Sequence, residues 1–260
     1  VNDSLHHGLL LQEFIIGAIA PIWQNRPCLY SMSTFFGAMT TKKDTQPPRG
    51  RGRPSTFDRA QALNRAMQLF WEQGYEGTSF DQLIQLMGIS PSSFYNSFGS
   101  KEQLYREATD AYLSMSATWF AGKLFGTADT REAFKKFLDG TAMEFTRESH
   151  PSGCMISLAG THLPPELTSI RETMAEHRAN AEAMMAQRLR KGVEDGDLPP
   201  GTDVPALAAF YNVVTRGMAV QARDGASRQK LKAIADLAMQ AWPVQNGQER
   251  SVKSRRTRPA

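Results

Sequence analysis

The punctuation between residues 74 and 100 constrains this chain more than any other feature. Gly74 is followed by Thr78-Ser79, Gly88 by Ser90-Pro91, and Gly99 by Ser100. Each glycine can end a helix, and each hydroxyl residue can cap the next. Pro91 directly after Ser90 fits the first position of a helix, where a missing N–H costs nothing. The spacing predicts a first helix over about Asp58 to Gln73, with Ala62, Ala66, Leu69 and Phe70 on one face and Leu63 and Met67 beside them. A short second helix follows the Thr78-Ser79 cap. Asp81 lies in its first turn, where the helix dipole favours an anion, and Phe80, Leu83, Ile84 and Met87 form its apolar face. A third runs over about Pro91 to Ser97. Ser100 and Gln103 have capping-box spacing and open a helix to about Leu124, about 37 Å long.

Two short helices joined by a glycine-containing turn fit a helix-turn-helix, whose second helix enters the DNA major groove. Phe94 and Phe98 sit four apart on one face of the third helix, while Ser92, Ser93, Tyr95 and Asn96 point elsewhere. That uncharged, hydroxyl- and amide-rich face suits contacts to bases and phosphates. Read only as the solvated side of a small helix, it leaves an exposed Tyr95 unexplained. Upstream, Arg49, Arg51 and Arg53 alternate with glycine in RGRGRP. Such a string cannot fill a core. It suits the narrow minor groove of A·T-rich DNA, or a flexible linker.

Charge points the same way. Residues 42–53 carry five cations against Asp44, and residues 249–258 carry five against Glu249, so each stretch is +4. The whole chain is also only +4 and residues 1–41 are −1, which leaves residues 54–248 acidic at −3. Two basic arms on an acidic body suggest a polyanionic partner; solvated tails are the alternative.

The stretch GYEGTSFDQLIQLMGISPSSFYNSFGSKEQLY, Gly74 to Tyr105, resembles the N-terminal domain of the TetR family of bacterial repressors. The family's segments stand in order over residues 57–106: Gly74-Tyr75 with Thr78-Ser79, Gly88-Ile89-Ser90, Tyr95 with Phe98, and Lys101-Glu102 with Leu104. One departure is the bulk of Ile84, Leu86 and Met87, where the family commonly has small residues. The resemblance implies that Thr78, Tyr95 and Lys101 hold DNA phosphates and that Ser92, Ser93 and Asn96 face the groove. A lysine in the first turn of a helix opposes the dipole, so Lys101 is better explained by a phosphate than by helix stability.

The remainder reads as all-α. Helices are expected over about Thr130 to Arg147, Glu166 to Glu194, Val204 to Arg223 and Ser227 to Trp242, with a broken region between Pro151 and Pro165. The helix from Val204 is apolar nearly all round through Leu207, Phe210, Tyr211, Val213, Val214, Met218 and Val220, so it needs cover on two sides. TetR-like proteins pair their last two helices across a two-fold axis, which implies a homodimer here. The family also binds small molecules inside the helical body. By position, the ligand-binding candidates are Trp119, Phe120, Phe137, Met143, Met155, His162, Met174 and His177, with Met184 beside them; plain core packing explains any one of them as well.

Several classes are excluded. The chain has 260 residues, 41% hydrophobic and 22% charged, enough for a packed core. It lacks CxxC and HExxH strings, a nucleophile elbow, a phosphate loop and Rossmann glycines, so no enzyme, cofactor or metal site is expected. Two cysteines, Cys28 and Cys154, exclude a disulfide framework. Cys154 has no Lys or Arg within six residues, so a buried structural thiol is expected. Leu9 to Trp23 is interrupted by Gln12, Glu13 and Pro21, too broken to span a membrane and without the basic start of a secretory signal.

The expected organisation is a leader over 1–41, read as disordered or as an over-extended start ahead of Met39, a basic arm over 42–56, and a three-helix helix-turn-helix domain over 57–106. A helical ligand-binding and dimerisation domain over 107–243 and a basic tail over 244–260 complete it. The expected function is a cytoplasmic, homodimeric repressor that binds double-stranded operator DNA and is released by a small, largely apolar effector. A ligand-independent architectural or cell-division DNA-binding factor would need the same head and the same dimer.

Overall fold

A computed structural model describes residues 57–244 apart from 161, 162 and 164. The leader, most of the arm, the basic tail and His162 lie outside the described residues. The chain divides into two units, Val1–Asp58 and Arg59–Ala260, and every described element belongs to the second.

Nine α-helices and no strand occur among the described residues. They are α1 (Arg59–Gly77), α2 (Phe80–Met87), α3 (Pro91–Phe98), α4 (Lys101–Phe125), α5 (Thr130–Glu144), α6 (Met155–Leu158), α7 (Thr168–Glu194), α8 (Val204–Arg223) and α9 (Arg228–Ala238). Short 3-10 turns precede α7 and follow α9. The all-α expectation holds, and most boundaries fall within a few residues of their sequence positions. The first helix differs: it continues past Gly74, which adopts φ 74° and ψ 177° inside it, so the glycine kinks the helix rather than ending it.

Caps explain why the ends fall where they do. Ser79 caps α2, Ser90 caps α3, Ser100 caps α4, Asp129 caps α5, Asp203 caps α8 and Ser227 caps α9, each accepting a backbone N–H three residues on. Each such cap contributes about 1 kcal/mol. The reciprocal capping box forms at Ser79 and Gln82.

The helices enclose two hydrophobic cores. One joins the first three helices to the N-terminal half of α4, α6 and the start of α7, around Phe70, Leu83, Phe94, Leu104, Tyr105 and Met174. The other joins the C-terminal ends of α4 and α7 to α5, α8 and α9, around Leu124, Phe134, Leu138, Leu189 and Tyr211. Only α4 and α7 are long enough to supply buried residues to both. Between the cores neither buries anything: residues 113–118 of α4 and 175–184 of α7 are all half-buried or exposed.

The far end of the second core is closed by a buried cation. Arg188, 2% exposed, donates from Nε to Leu124 O (2.8 Å), from Nη1 to Thr130 Oγ1 (2.6 Å) and from Nη2 to Thr127 O and Ala128 O (3.1 and 2.6 Å). The Thr130 hydroxyl in turn donates to Asp197 (2.7 Å), which also accepts the Thr130 N–H (2.9 Å). The Thr130 hydroxyl and N–H hold the Asp197 carboxyl below its ordinary range. Carbonyls left over at the end of α4 thus find donors that the sequence did not advertise.

Candidate nucleic-acid interface

The geometry of the head follows from its caps and aromatics. In α3, Phe94 and Phe98 are buried and fix which side of the helix faces inward. Ser92, Ser93, Tyr95 and Asn96 are all exposed on the remaining surface. The Tyr95 ring stacks on Phe80 at 5.4 Å, and Phe80 meets Phe94 edge-on at 4.8 Å. Tyr95 is thus braced although it remains 56% exposed. Ser93 Oγ lies 3.0 Å from Ser90 Oγ, so this hydroxyl also takes part in the cap of α3. The structure therefore presents four of the expected contact residues together on one uncharged, hydrogen-bonding face.

Two of the expected contact residues have intramolecular partners. Thr78 is fully buried, and its hydroxyl donates to Gly74 O at 2.7 Å. The side chain closes the kink in α1. Lys101, at the start of α4, has a structural partner after all: its Nζ lies 4.3 Å from the centre of the Tyr75 ring. A cation on an aromatic face offsets the unfavourable dipole. Burial lowers the Lys101 pKa, opposed by Glu76, while burial and Glu102 raise that of Tyr75. Lys101 remains at the edge of the head, half-buried, with its ammonium at the end of a flexible stem. Arg49, Arg51 and Arg53 lie outside the described residues.

The sequence reading missed two positioning residues. Arg59 donates to Ser97 O from Nε and Nη2 (3.3 and 3.2 Å), pairs with Glu107 on α4 (2.5 Å) and lies 4.7 Å from the Phe98 ring centre. Arg65 Nη1 donates to Leu86 O at 3.1 Å. Both arginines of α1 thus satisfy carbonyls at the C-terminal ends of α3 and α2. The partners are 38 and 21 residues away, so no local pattern could have announced them.

The expected ligand residues do not form one group. Trp119, Phe120 and Phe137 meet in the second core, with Phe137 at 6.0 Å from Trp119 and 4.7 Å from Phe120 by ring centres. Met155 and Met174 are buried in the first core, where the Tyr105 hydroxyl lies 4.0 Å from the Met174 sulfur. Met143 is 45% exposed and belongs to neither core. His177 and Met184 are half-buried in the middle of α7. Helical spacing placed these residues on inward faces, but could not tell that α4 and α7 pass through two cores.

Cys154 also departs from expectation. It is half-buried, accepts a hydrogen bond from the Tyr112 hydroxyl (3.2 Å), and lies close enough to Arg178 for the two to interact electrostatically. Arg178, 24 residues away in sequence, donates to Ile156 O and Ala159 O (3.1 and 2.8 Å). Among the described residues no group of three or more His, Cys, Asp or Glu is placed to hold a metal ion. No helix among them is long and apolar enough to cross a membrane.

Comparison with known proteins agrees with the head geometry. Residues 62–108 match the model of bacterial regulatory proteins of the tetR family, and residues 131–238 match a tetracyclin repressor-like C-terminal domain. The HTH-type transcriptional repressor ComR of Escherichia coli K12 is 35% identical over 206 residues, covering 79% of this chain and 98% of its own. The repressor BdcR of the same organism is 27% identical over 203 residues, covering 78% and 96%. Among solved structures, a cysteine-substituted CifR bound to a 26-bp double-strand operator DNA is 40% identical, with a TM-score of 0.71, over 74% of this chain and 100% of that one. With its capped three-helix head, its all-helical body and relatives matched along nearly their whole length, this chain belongs to the tetR family of bacterial regulatory proteins, DNA-binding transcriptional regulators rather than enzymes.

Proposed function

We propose that this regulator is a homodimeric repressor acting in the cytoplasm, that each subunit reads one half of a roughly palindromic operator through α3, and that a small molecule bound in the body releases it. The observation that carries the reading is the exposed face of α3. Ser92, Ser93 and Asn96 offer hydrogen bonds suited to base edges, and Tyr95 and Lys101 flank them for phosphates. Thr78 supports this face by closing the α1 kink. Arg49, Arg51 and Arg53 supply the arm for the flanking minor groove.

The dimer is supported by α8 and α9. The inner side of α8 is buried through Ala208, Tyr211, Thr215 and Met218. Its outer side still shows Phe210, Val213 and Val220 at 39, 64 and 46% exposure, and α9 adds Leu237 at 64%. An apolar stripe along two neighbouring helices calls for a partner, and a two-fold copy supplies the second head that a palindromic site requires.

The effector reading is supported by the middle stretches of α4 and α7, 113–118 and 175–184, which hold no fully buried residue. A molecule entering between the cores would touch α4 and α7 where they bury no side chain, beside His177 and Met184 and next to the Trp119-Phe120 pair. Trp119 lies about 27 Å along α4 from Lys101, so a tilt there moves the head. A coupling of about 1–3 kcal/mol would lower operator affinity about 5- to 150-fold.

The test is sedimentation together with gel retardation on genomic fragments. A dimer of about twice the chain mass, and retention that weakens steeply with salt, are expected. Val213→Asp places a charge in the stripe and should yield monomers that lose tight retention. A wild-type protein that stays monomeric at micromolar concentration and retains no DNA at low salt rejects the reading.

A further inference from the structure

We infer that Arg223 is a positioning residue that ties the DNA-reading head directly to α8, and so sets the spacing between the two heads of the dimer. The inference rests on the dimeric operator-reading function proposed above. It adds a route from the subunit interface to the head that bypasses the long helix α4.

Arg223 occupies the last turn of α8. Its Nη2 donates to the backbone carbonyl of Trp71 in α1, and its Nη1 lies 3.4 Å from Glu72 Oε2. Residues 71 and 223 are 152 positions apart, so this is a tertiary tie. The carbonyl it takes lies just ahead of the Gly74 kink. Gly74 at φ 74° interrupts the regular ladder of α1, and carbonyls near the break accept from outside it: Gly74 O from the Thr78 hydroxyl, Trp71 O from Arg223. The kink thus opens a place on the head for a donor from the body.

The surroundings make the tie stiff. Trp71 is 5% exposed, stacked on His150 at 4.5 Å and edge-on to Tyr112 of α4 at 4.9 Å. His150 is held by Glu144 and Pro151 O at 3.2 and 3.0 Å. The loop carrying it lies tight against α8: a Cβ added at Gly153, which has φ 80°, would stand 2.6 Å from Ala219 O. The backbone of α8 and the 150–153 loop are therefore in close contact one turn before Arg223. Val220, on the exposed apolar stripe, is three residues before Arg223. A shift of α8 at the subunit interface would reach Trp71 directly through the Arg223 side chain, beside the packing of the 150–153 loop.

Favourable placement of a cation at a helix C-terminus is the plain alternative for Arg223. That role would be served by the charge alone and would not require the Trp71 carbonyl. The two accounts separate on half-site spacing, because a loosely held head accepts wrong spacings that a fixed head rejects.

The experiment measures binding of the full chain to its operator and to versions with one or two base pairs inserted or deleted between the half-sites. Wild type should show a sharp optimum. Arg223→Ala should bind the optimal spacing about tenfold more weakly, the worth of about one charge-assisted hydrogen bond. It should also flatten the profile, leaving affinity at wrong spacings nearly unchanged and the dimer intact by sedimentation. Arg223→Lys keeps the charge without the planar fork and should fall between; if the alanine variant does not dimerise, the lysine variant carries the comparison. Glu72→Gln keeps the Trp71 bond and should retain the sharp optimum. A profile in Arg223→Ala of unchanged shape, lowered equally at every spacing, overturns the inference while leaving the dimeric reader in place. A wild-type protein indifferent to spacing overturns both.

Discussion

Replacing Arg188 with methionine is the most direct test of how the body is closed. Methionine fills much of the same space but removes every donor. Leu124 is fully buried, so its carbonyl is left without a partner, at about 1–3 kcal/mol. Thr127 is half-buried and Ala128 exposed, so water can replace Arg188 at their carbonyls, at about 0.5–1 kcal/mol each. Thr130 keeps its bonds to Asp197. Relief from holding a guanidinium out of water offsets part of the loss. The net expectation is about 2–4 kcal/mol, a large share of the 5–15 kcal/mol typical of a folded domain. At about 2–4 °C per kcal/mol for a domain of this size, the melting temperature should fall by about 5–15 °C. Thermal and urea unfolding followed by circular dichroism measure both quantities. Operator affinity well below the melting temperature should be unchanged, since Leu124 lies about 34 Å along α4 from Lys101. A stability within about 0.5 kcal/mol of wild type would refute the reasoning, because it would mean that the guanidinium costs as much to bury as its bonds return.

Three further perturbations probe other levels of the structure. Gly192→Ala should destabilise by about 1–3 kcal/mol, because the new Cβ would meet the Thr130 Oγ1, Cγ2 and Cβ atoms at 2.5, 2.8 and 2.9 Å; an unchanged urea midpoint would show that Thr130 yields freely. Burial pushes the Tyr105 hydroxyl up to about 12, so the unfolded state loses this proton first as pH rises. Stability should then fall between about pH 10 and pH 12 by up to roughly 2–3 kcal/mol from this group, and Tyr105→Phe should remove that part of the loss in alkaline unfolding curves. In DNA binding, Lys101→Ala should weaken all sequences alike and flatten the salt slope by about one unit, whereas Asn96→Ala should change the preference among operators; the reverse pattern would exchange their roles.

The head was legible because its information is local. Ser79, Ser90-Pro91 and Ser100 announce helix starts, Gly88 and Gly99 announce ends, and Phe94 and Phe98 at a spacing of four declare the buried side of α3, leaving Tyr95 and Asn96 outside. The same rules erred at Gly74 and Thr78. A glycine after a helical run reads as a stop, yet the chain resumed its helix beyond the kink, and the Thr78 hydroxyl turned inward to the Gly74 carbonyl. Which of two adjacent hydroxyl residues caps and which is buried depends on the kink's geometry, and composition does not encode it.

Periodicity along the body fixed which helices form and which faces are apolar, because each face is written at intervals of three and four residues. It could not fix which faces meet. Met155, Met174, Trp119, Phe120 and Phe137 all read as inward-facing, and the fold divided them between two cores. Arg59 at the end of α3, Arg178 beside Cys154, Arg188 at the end of α4 and Arg223 on the Trp71 carbonyl were equally silent in the sequence. An arginine finds backbone carbonyls wherever helix ends are brought to it, and a helix end is brought near only by packing of segments tens of residues apart. The sequence by itself determined the helices, their caps and the exposed polar face of α3; the tertiary structure decided how the helix ends are satisfied, where the two cores divide and how the head is held to the body.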